Sequence, residues 1–170
     1  MKDFFLVYML FLCATIQGNC QEFKVEKKDI VSLKYPIDWV SKNVPGYVIF
    51  ISESADTVLK VLTTFDVQKE TGIDNIDEYL NNYIHQIAVN NLFEDFTVKS
   101  KRKIIYKGYE AYECLFYAVV QYLPVEWKSI MFCKENVIYK FTTTSLIGIS
   151  ELNKEKTEKI FDSVIIVDTD

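Results

Sequence analysis

The run Tyr109-Glu110-Ala111-Tyr112-Glu113-Cys114-Leu115-Phe116-Tyr117-Ala118-Val119-Val120-Gln121, followed across Tyr122-Leu123-Pro124-Val125 by Glu126-Trp127-Lys128-Ser129-Ile130-Met131-Phe132-Cys133-Lys134, carries the strongest β signal in the chain. Both arms are dense in aromatic and β-branched residues, which suit a pleated, half-buried surface. They read as an antiparallel hairpin. Leu123-Pro124 is unsuited to the tight two-residue turns, which need positive φ, so a four-residue loop, Tyr122 to Val125, is expected. In that register Cys114 lies opposite Cys133, Phe116 opposite Met131, Leu115 opposite Phe132, Tyr117 opposite Ile130 and Glu113 opposite Lys134. A shift by one residue would exchange the faces and break these matches. The register predicts a Cys114–Cys133 disulfide. The competing reading is two reduced cysteines acting as small hydrophobes.

Working outward, Phe23 to Glu26, Ile30 to Leu33, Tyr47 to Ser52, Val58 to Val67, Phe96 to Tyr106 and Val137 to Thr144 read as further strands. Tyr35 to Trp39, Pro45-Gly46 and Lys107-Gly108 read as turns, with Pro36 holding Tyr35 extended. From Asn75 to Asn90 the apolar residues recur at helical spacing, at Ile76, Tyr79/Leu80, Tyr83/Ile84 and Ile87/Ala88. Asp74 is the expected N-cap, with Asp77 and Glu78 in the first turn where the helix dipole favours negative charge. A shorter helix, Glu151 to Asp162 capped by Ser150, precedes a last extended run, Ser163 to Val167.

At the start of the chain, Met1-Lys2 leads into an apolar run, Phe4 to Ile16, and then Gln17-Gly18-Asn19-Cys20. A short charged start, an apolar middle and a polar end with small residues is the layout of a secretory signal peptide. The run falls short of the roughly 20 apolar residues a spanning helix needs. The expected product is an exported protein, periplasmic or secreted: residues 1–20 as signal peptide and residues 21–170 as one domain. Lipidation at Cys20 is the lesser alternative, because Gln17 and Asn19 fit a lipoprotein signal poorly. Only with that lipid would the protein be held to a membrane.

The composition, 49% hydrophobic and 15% aromatic, suffices for one core, and the net charge of −5 is mild. The basic stretch Lys99-Ser100-Lys101-Arg102-Lys103 lies in an expected strand and reads as an exposed face or an edge charge, not as a nucleic-acid patch. Beyond residue 20 there are two cysteines and one histidine, with no C-x-x-C, so no metal site is expected. His85 lies mid-helix without a marked nucleophile or orienting acid and reads as a surface histidine. Asp74, Asp77 and Glu78 lack the calcium-loop spacing. There is no phosphate-binding glycine loop, and no cofactor is expected. Trp39, Tyr109, Tyr112 and Trp127 form a candidate aromatic binding surface, against the alternative that they pack in the core.

Val31-Ser32-Leu33-Lys34-Tyr35-Pro36-Ile37-Asp38-Trp39 resembles the opening strand and aromatic-Pro-x-x-Trp turn of the PsbP-like (Mog1/PsbP) superfamily, which includes small bacterial envelope proteins. Ile76-Asp77-Glu78-Tyr79, Gly108-Tyr109-Glu110-Ala111 and Lys159-Ile160-Phe161-Asp162-Ser163-Val164 continue the likeness, which covers most of Phe23 to Val167. The resemblance implies an α+β fold, an antiparallel β-sheet with helices packed on its faces. It also implies a non-catalytic assembly or binding module, with another envelope protein as the expected partner. The alternative is a small-molecule or lipid carrier with an apolar pocket between sheet and helix.

Overall fold

Among the described residues, ten strands and two helices follow one another in the order β1 (Phe23–Lys28), β2 (Val31–Pro36), β3 (Val40–Lys42), β4 (Ile49–Ser52), β5 (Thr64–Thr71), α1 (Ile76–Ala88), β6 (Glu94–Tyr106), β7 (Tyr109–Val120), β8 (Leu123–Lys134), β9 (Val137–Leu146), α2 (Ile149–Ser163) and β10 (Ile165–Ile166). They belong to a computed structural model that describes residues 22–53 and 63–167. The expected signal segment with Cys20, and the first part of the strand expected from Val58, lie outside the described residues. A seven-stranded antiparallel sheet has the order β3-β4-β5-β9-β8-β7-β6, and a three-stranded one the order β1-β2-β10. This is the expected α+β architecture.

The chain leaves β5 inside the large sheet, crosses one face as α1 and re-enters at the far edge as β6. After β9 it crosses the other face as α2 and joins the small sheet through β10. The central strands are therefore covered on both sides. Under α2 and the small sheet, Phe65, Val67, Ile130, Phe132, Tyr139 and Phe141 pack with Val31, Leu33, Ile160, Phe161 and Val164. Under α1, Cys114, Phe116, Ala118, Trp127, Met131 and Ile138 pack with Tyr79, Leu80 and Ile87. Two-sided cover explains why β8 and β9 contain near-continuous buried stretches.

The central hairpin corrects the expected register. Its turn is Gln121-Tyr122, both at positive φ as a type I′ turn requires, and Leu123-Pro124 begin β8. Val120 pairs with Leu123, Phe116 with Trp127, Cys114 with Ser129 and Tyr112 with Met131. Pro124 is tolerated because it opens the strand, where its carbonyl accepts from Ile147 N at 3.1 Å. The tighter register also brings Phe116 and Trp127 into a stacked pair at 5.3 Å. The displacement is even, so every side chain keeps its expected face although no pair keeps its partner.

The expected disulfide fails for the same reason. Cys114 and Cys133 are free thiols. Cys114 is fully buried, and desolvation pushes its thiol up to about 11. Cys133 pairs across to Ile138 and donates to Ile73 O at 3.3 Å. Two capping expectations also shift by a residue or two. Asn75, not Asp74, caps α1, its Oδ1 accepting from Asp77 N and Glu78 N at 3.0 and 3.1 Å. Gly148 at φ 91 precedes α2, with no side-chain cap from Ser150.

Gln121 and Tyr122 hold a conformation that costs an L-residue roughly 1–2 kcal/mol each. Replacing them together, Gln121→Asn with Tyr122→Gly, is expected to raise the unfolding free energy by about 1–2 kcal/mol in urea titration. A loss of stability would count against the two-residue turn.

Candidate functional site

β6 is an edge of the large sheet, thirteen residues long, with irregularities between Glu94 and Thr97 and between Val98 and Ser100. The basic stretch lies on it, so the expectation of an edge charge holds. Lysines along an edge blunt its tendency to pair with other chains. These side chains are also placed over rings: Lys99 lies 5.1 Å from the Tyr117 centroid, and Lys101 and Lys103 lie 5.1 and 5.2 Å from that of Tyr112.

Where β6 turns into β7, the first turn of α1 stands over the hairpin and leaves an open groove of about 500 Å³. Ile76, Asp77, Lys103, Ile105, Glu110 and Tyr112 line it. The Tyr112 hydroxyl donates to Asp77, and Lys103 Nζ lies 3.5 Å from the same carboxylate. The Tyr112 hydrogen bond, helped by Lys103 and Lys101, holds Asp77 below the usual carboxylate range. Contact with Tyr112 and the charge of Asp77 raise Lys103. Both shifts favour the charged forms and move these groups away from neutrality, where an acid–base catalyst needs them. The groove offers an apolar wall, with Ile105 70% exposed, and fixed charges. That chemistry suits recognition. A smaller cleft of about 280 Å³ lies beside α2, where Lys128 bridges Glu113 at 3.2 Å and Glu158 at 2.9 Å.

Between the groove and β4, α1 covers a buried polar stripe that the sequence reading did not find. Asp66 and Lys140 are both buried. Lys140 Nζ sits 4.4 Å from the Tyr83 ring centroid. Gln68 Nε2 donates to Asp66 at 3.2 Å, Tyr79 donates to Glu70 at 2.7 Å, and Ser129 and Thr142 share a hydrogen bond of 3.0 Å. Burial pushes Asp66 up, to about 7, against the pull of Lys140 and Gln68. Burial likewise lowers Lys140, against Asp66 and Glu70. Alternation in Phe65-Asp66-Val67 and Tyr139-Lys140-Phe141 marks the two charges as solvent-facing. No local signal says that a distant helix covers that face.

The four aromatics of the candidate binding surface do not share a face. Trp39 is fully buried on the α2 side, where Tyr109 stacks on Phe132 at 4.9 Å. Tyr112 and Trp127 are buried on the α1 side. Of the four, Tyr112 lines the groove. His85 is exposed on α1. No cluster of three or more His, Cys, Asp or Glu among the described residues could hold a metal ion.

A sheet covered by helices on both faces defines the class, an α+β antiparallel sandwich, and comparison with known proteins sharpens it. No family model and no curated protein matches the chain. Solved structures do match. Cyanobacterial PsbP (CyanoP) from Synechocystis sp. PCC 6803 gives a TM-score of 0.62 at 11% identity, over 89% of this chain and 95% of that one. LpqN, described as involved in cell envelope biogenesis of Mycobacterium tuberculosis, gives 0.61 at 13% identity, over 92% and 97%. The Ran-binding protein Mog1p of Saccharomyces cerevisiae gives 0.59 at 10% identity, over 87% and 97%. The chain has the PsbP/Mog1-like fold.

Two measurements check the buried stripe. The raised Asp66 pKa means that the folded state holds this proton more tightly than the unfolded chain. That contribution is complete at low pH and is lost as pH rises from the ordinary carboxylate range, near 4, to about 7. Unfolding free energy is expected to fall across that window by at most about 1.4 kcal/mol per pH unit, and Asp66→Asn should flatten the slope. An unchanged slope in Asp66→Asn would assign the effect elsewhere. Lys140→Met alone is expected to cost about 3–5 kcal/mol well above pH 7, where Asp66 would be left charged without its partner, and the double variant with Asp66→Asn distinctly less. Additive losses in that double-mutant cycle would mean that the two charges do not act as a pair.

Proposed function

We propose that the protein is an exported, non-catalytic binding or assembly module of the cell envelope, engaging another protein along β6 and the groove at the start of α1. The observation that carries this reading is the groove itself. Its Tyr112, Asp77 and Lys103 side chains are tied to one another beside an exposed apolar wall, which pre-organises a recognition surface. The fold agrees with such a role, since LpqN is described as acting in cell envelope biogenesis and Mog1p as binding Ran. The N-terminal layout supports export. No helix among the described residues is long and apolar enough to cross a membrane.

A second reading has one specific support: the groove lies between helix and sheet, where a small-molecule carrier would hold its ligand. Native mass spectrometry separates the two. A carrier retains a small molecule that is lost on denaturation, whereas a docking module does not.

The intact mass of the protein from its own cells is expected to correspond to a chain beginning at Gln21. An uncut chain would remove the export reading. A photo-reactive residue at position 105 should cross-link to one protein in those cells, and the same residue at exposed position 155 should not. Equal or scattered adducts from both positions would overturn the groove as the contact surface.

A further inference from the structure

The strand directions gather several connections at the end of the sheet opposite the groove, among them the α1–β6 loop, the β7–β8 turn and the β9–α2 loop. Glu94 pairs with Val119, Val120 with Leu123, and Val125 with Leu146, while Ile147 N reaches Pro124 O at 3.1 Å. This register sets Leu92, Tyr122, Leu123 and Ile147 in a row across the sheet end. Tyr122 is 90% exposed, Leu92 63%, Ile147 48% and Leu123 40%. Val89 at the C-cap of α1 and Leu152 early in α2 belong to the same end and are also exposed. More than half of the large exposed apolar side chains among the described residues are collected here.

Folding does not account for this. Tyr122 occupies a positive-φ turn position that Gly or Asn would fill at lower cost, and its ring is almost wholly in water. Apolar side chains from three separate connections, presented together, mark an interaction site.

The charges around them select the partner. Glu94, Asp95 and Glu126 flank the row, and Glu151 stands in the first turn of α2, with Lys154 held to it at 3.5 Å. The basic row of β6 begins only at Lys99, beyond the first irregularity. A bilayer bearing anionic headgroups would be repelled by these carboxylates. A second copy meeting this end with the same end would set acids against acids. We propose that this end of the sheet is a docking surface for a partner protein whose contact patch has an apolar centre and a basic rim. This goes beyond the groove reading, because the two surfaces lie at opposite ends of the strands.

The test uses the full chain, isotope-labelled for NMR, with three probes: an amphipathic Leu/Lys peptide, a Leu/Glu peptide of equal length and hydrophobicity, and phosphatidylcholine vesicles with and without phosphatidylglycerol. The Leu/Lys peptide should shift amide signals within 89–95, 120–126 and 146–152. The double variant Tyr122→Ser with Ile147→Ser, which keeps every charge, should weaken that binding about tenfold or more. Its urea midpoint should stay at or above that of the parent chain. Lys103→Glu in the groove should leave binding unchanged, so failure of this surface and failure of the groove reading are told apart. Shifts spread over the whole acidic surface, or undiminished affinity in the apolar double variant, would overturn the proposal. So would preferential binding of the vesicles or the Leu/Glu peptide, or self-association of the unmodified chain that the double variant abolishes.

Discussion

The large sheet is covered on both faces, and most of what is unusual in the molecule follows from how that cover is made. A connection from β5 to β6 must pass three intervening strands, and α1 is the element that makes the passage. Its apolar face then closes over Phe116, Trp127 and Met131. It also closes over Asp66 and Lys140, which a one-sided sheet would have left in water. Burial without partners would cost each charge several kcal/mol. The stripe offsets this with Gln68, the opposing charges and the Tyr83 ring. Polar groups under a helix can be retained when each finds a partner.

The two ends of the strands differ in chemistry. At the hairpin joining β6 and β7, Lys103, Asp77 and Tyr112 form a charged, mutually held group beside Ile105. At the other end Tyr122, Leu92 and Ile147 are exposed among carboxylates. A net charge of −5 distributed this way is not a uniform field. It is a basic edge on an otherwise acidic body, an arrangement that fixes orientation in an encounter more than it adds affinity.

Much of the fold was legible from the chain alone, and the misses have a common form. The period of two in β7 and β8 sorted their side chains to the correct faces, because the pleat enforces alternation whatever the register. The register itself escaped. A Leu-Pro pair excludes a tight turn only at its own position, and the turn sits one residue pair earlier, on Gln121-Tyr122, where neither residue type announces positive φ. The cap of α1 moved from Asp74 to its neighbour Asn75, since both types can accept from the first-turn amides and sequence does not rank them. The groove was legible only as fragments. A basic strand, an acidic helix start and a tyrosine are separate signals until β6 and α1 meet.

The sequence by itself determined most element types, the faces of the strands and the basic run of β6, because these rest on short-range periodicity and on the intrinsic preferences of neighbouring residues. Tertiary structure alone decided which strand lies beside which. It decided that Cys114 faces Ser129 and not Cys133, that Trp39 and Trp127 stand on opposite sides of a sheet, and that Asp66 and Lys140 are buried. Each of these depends on a contact between residues far apart in the chain. Such contacts form only when the whole sheet and both covering helices are in place, and no local pattern of residues encodes them.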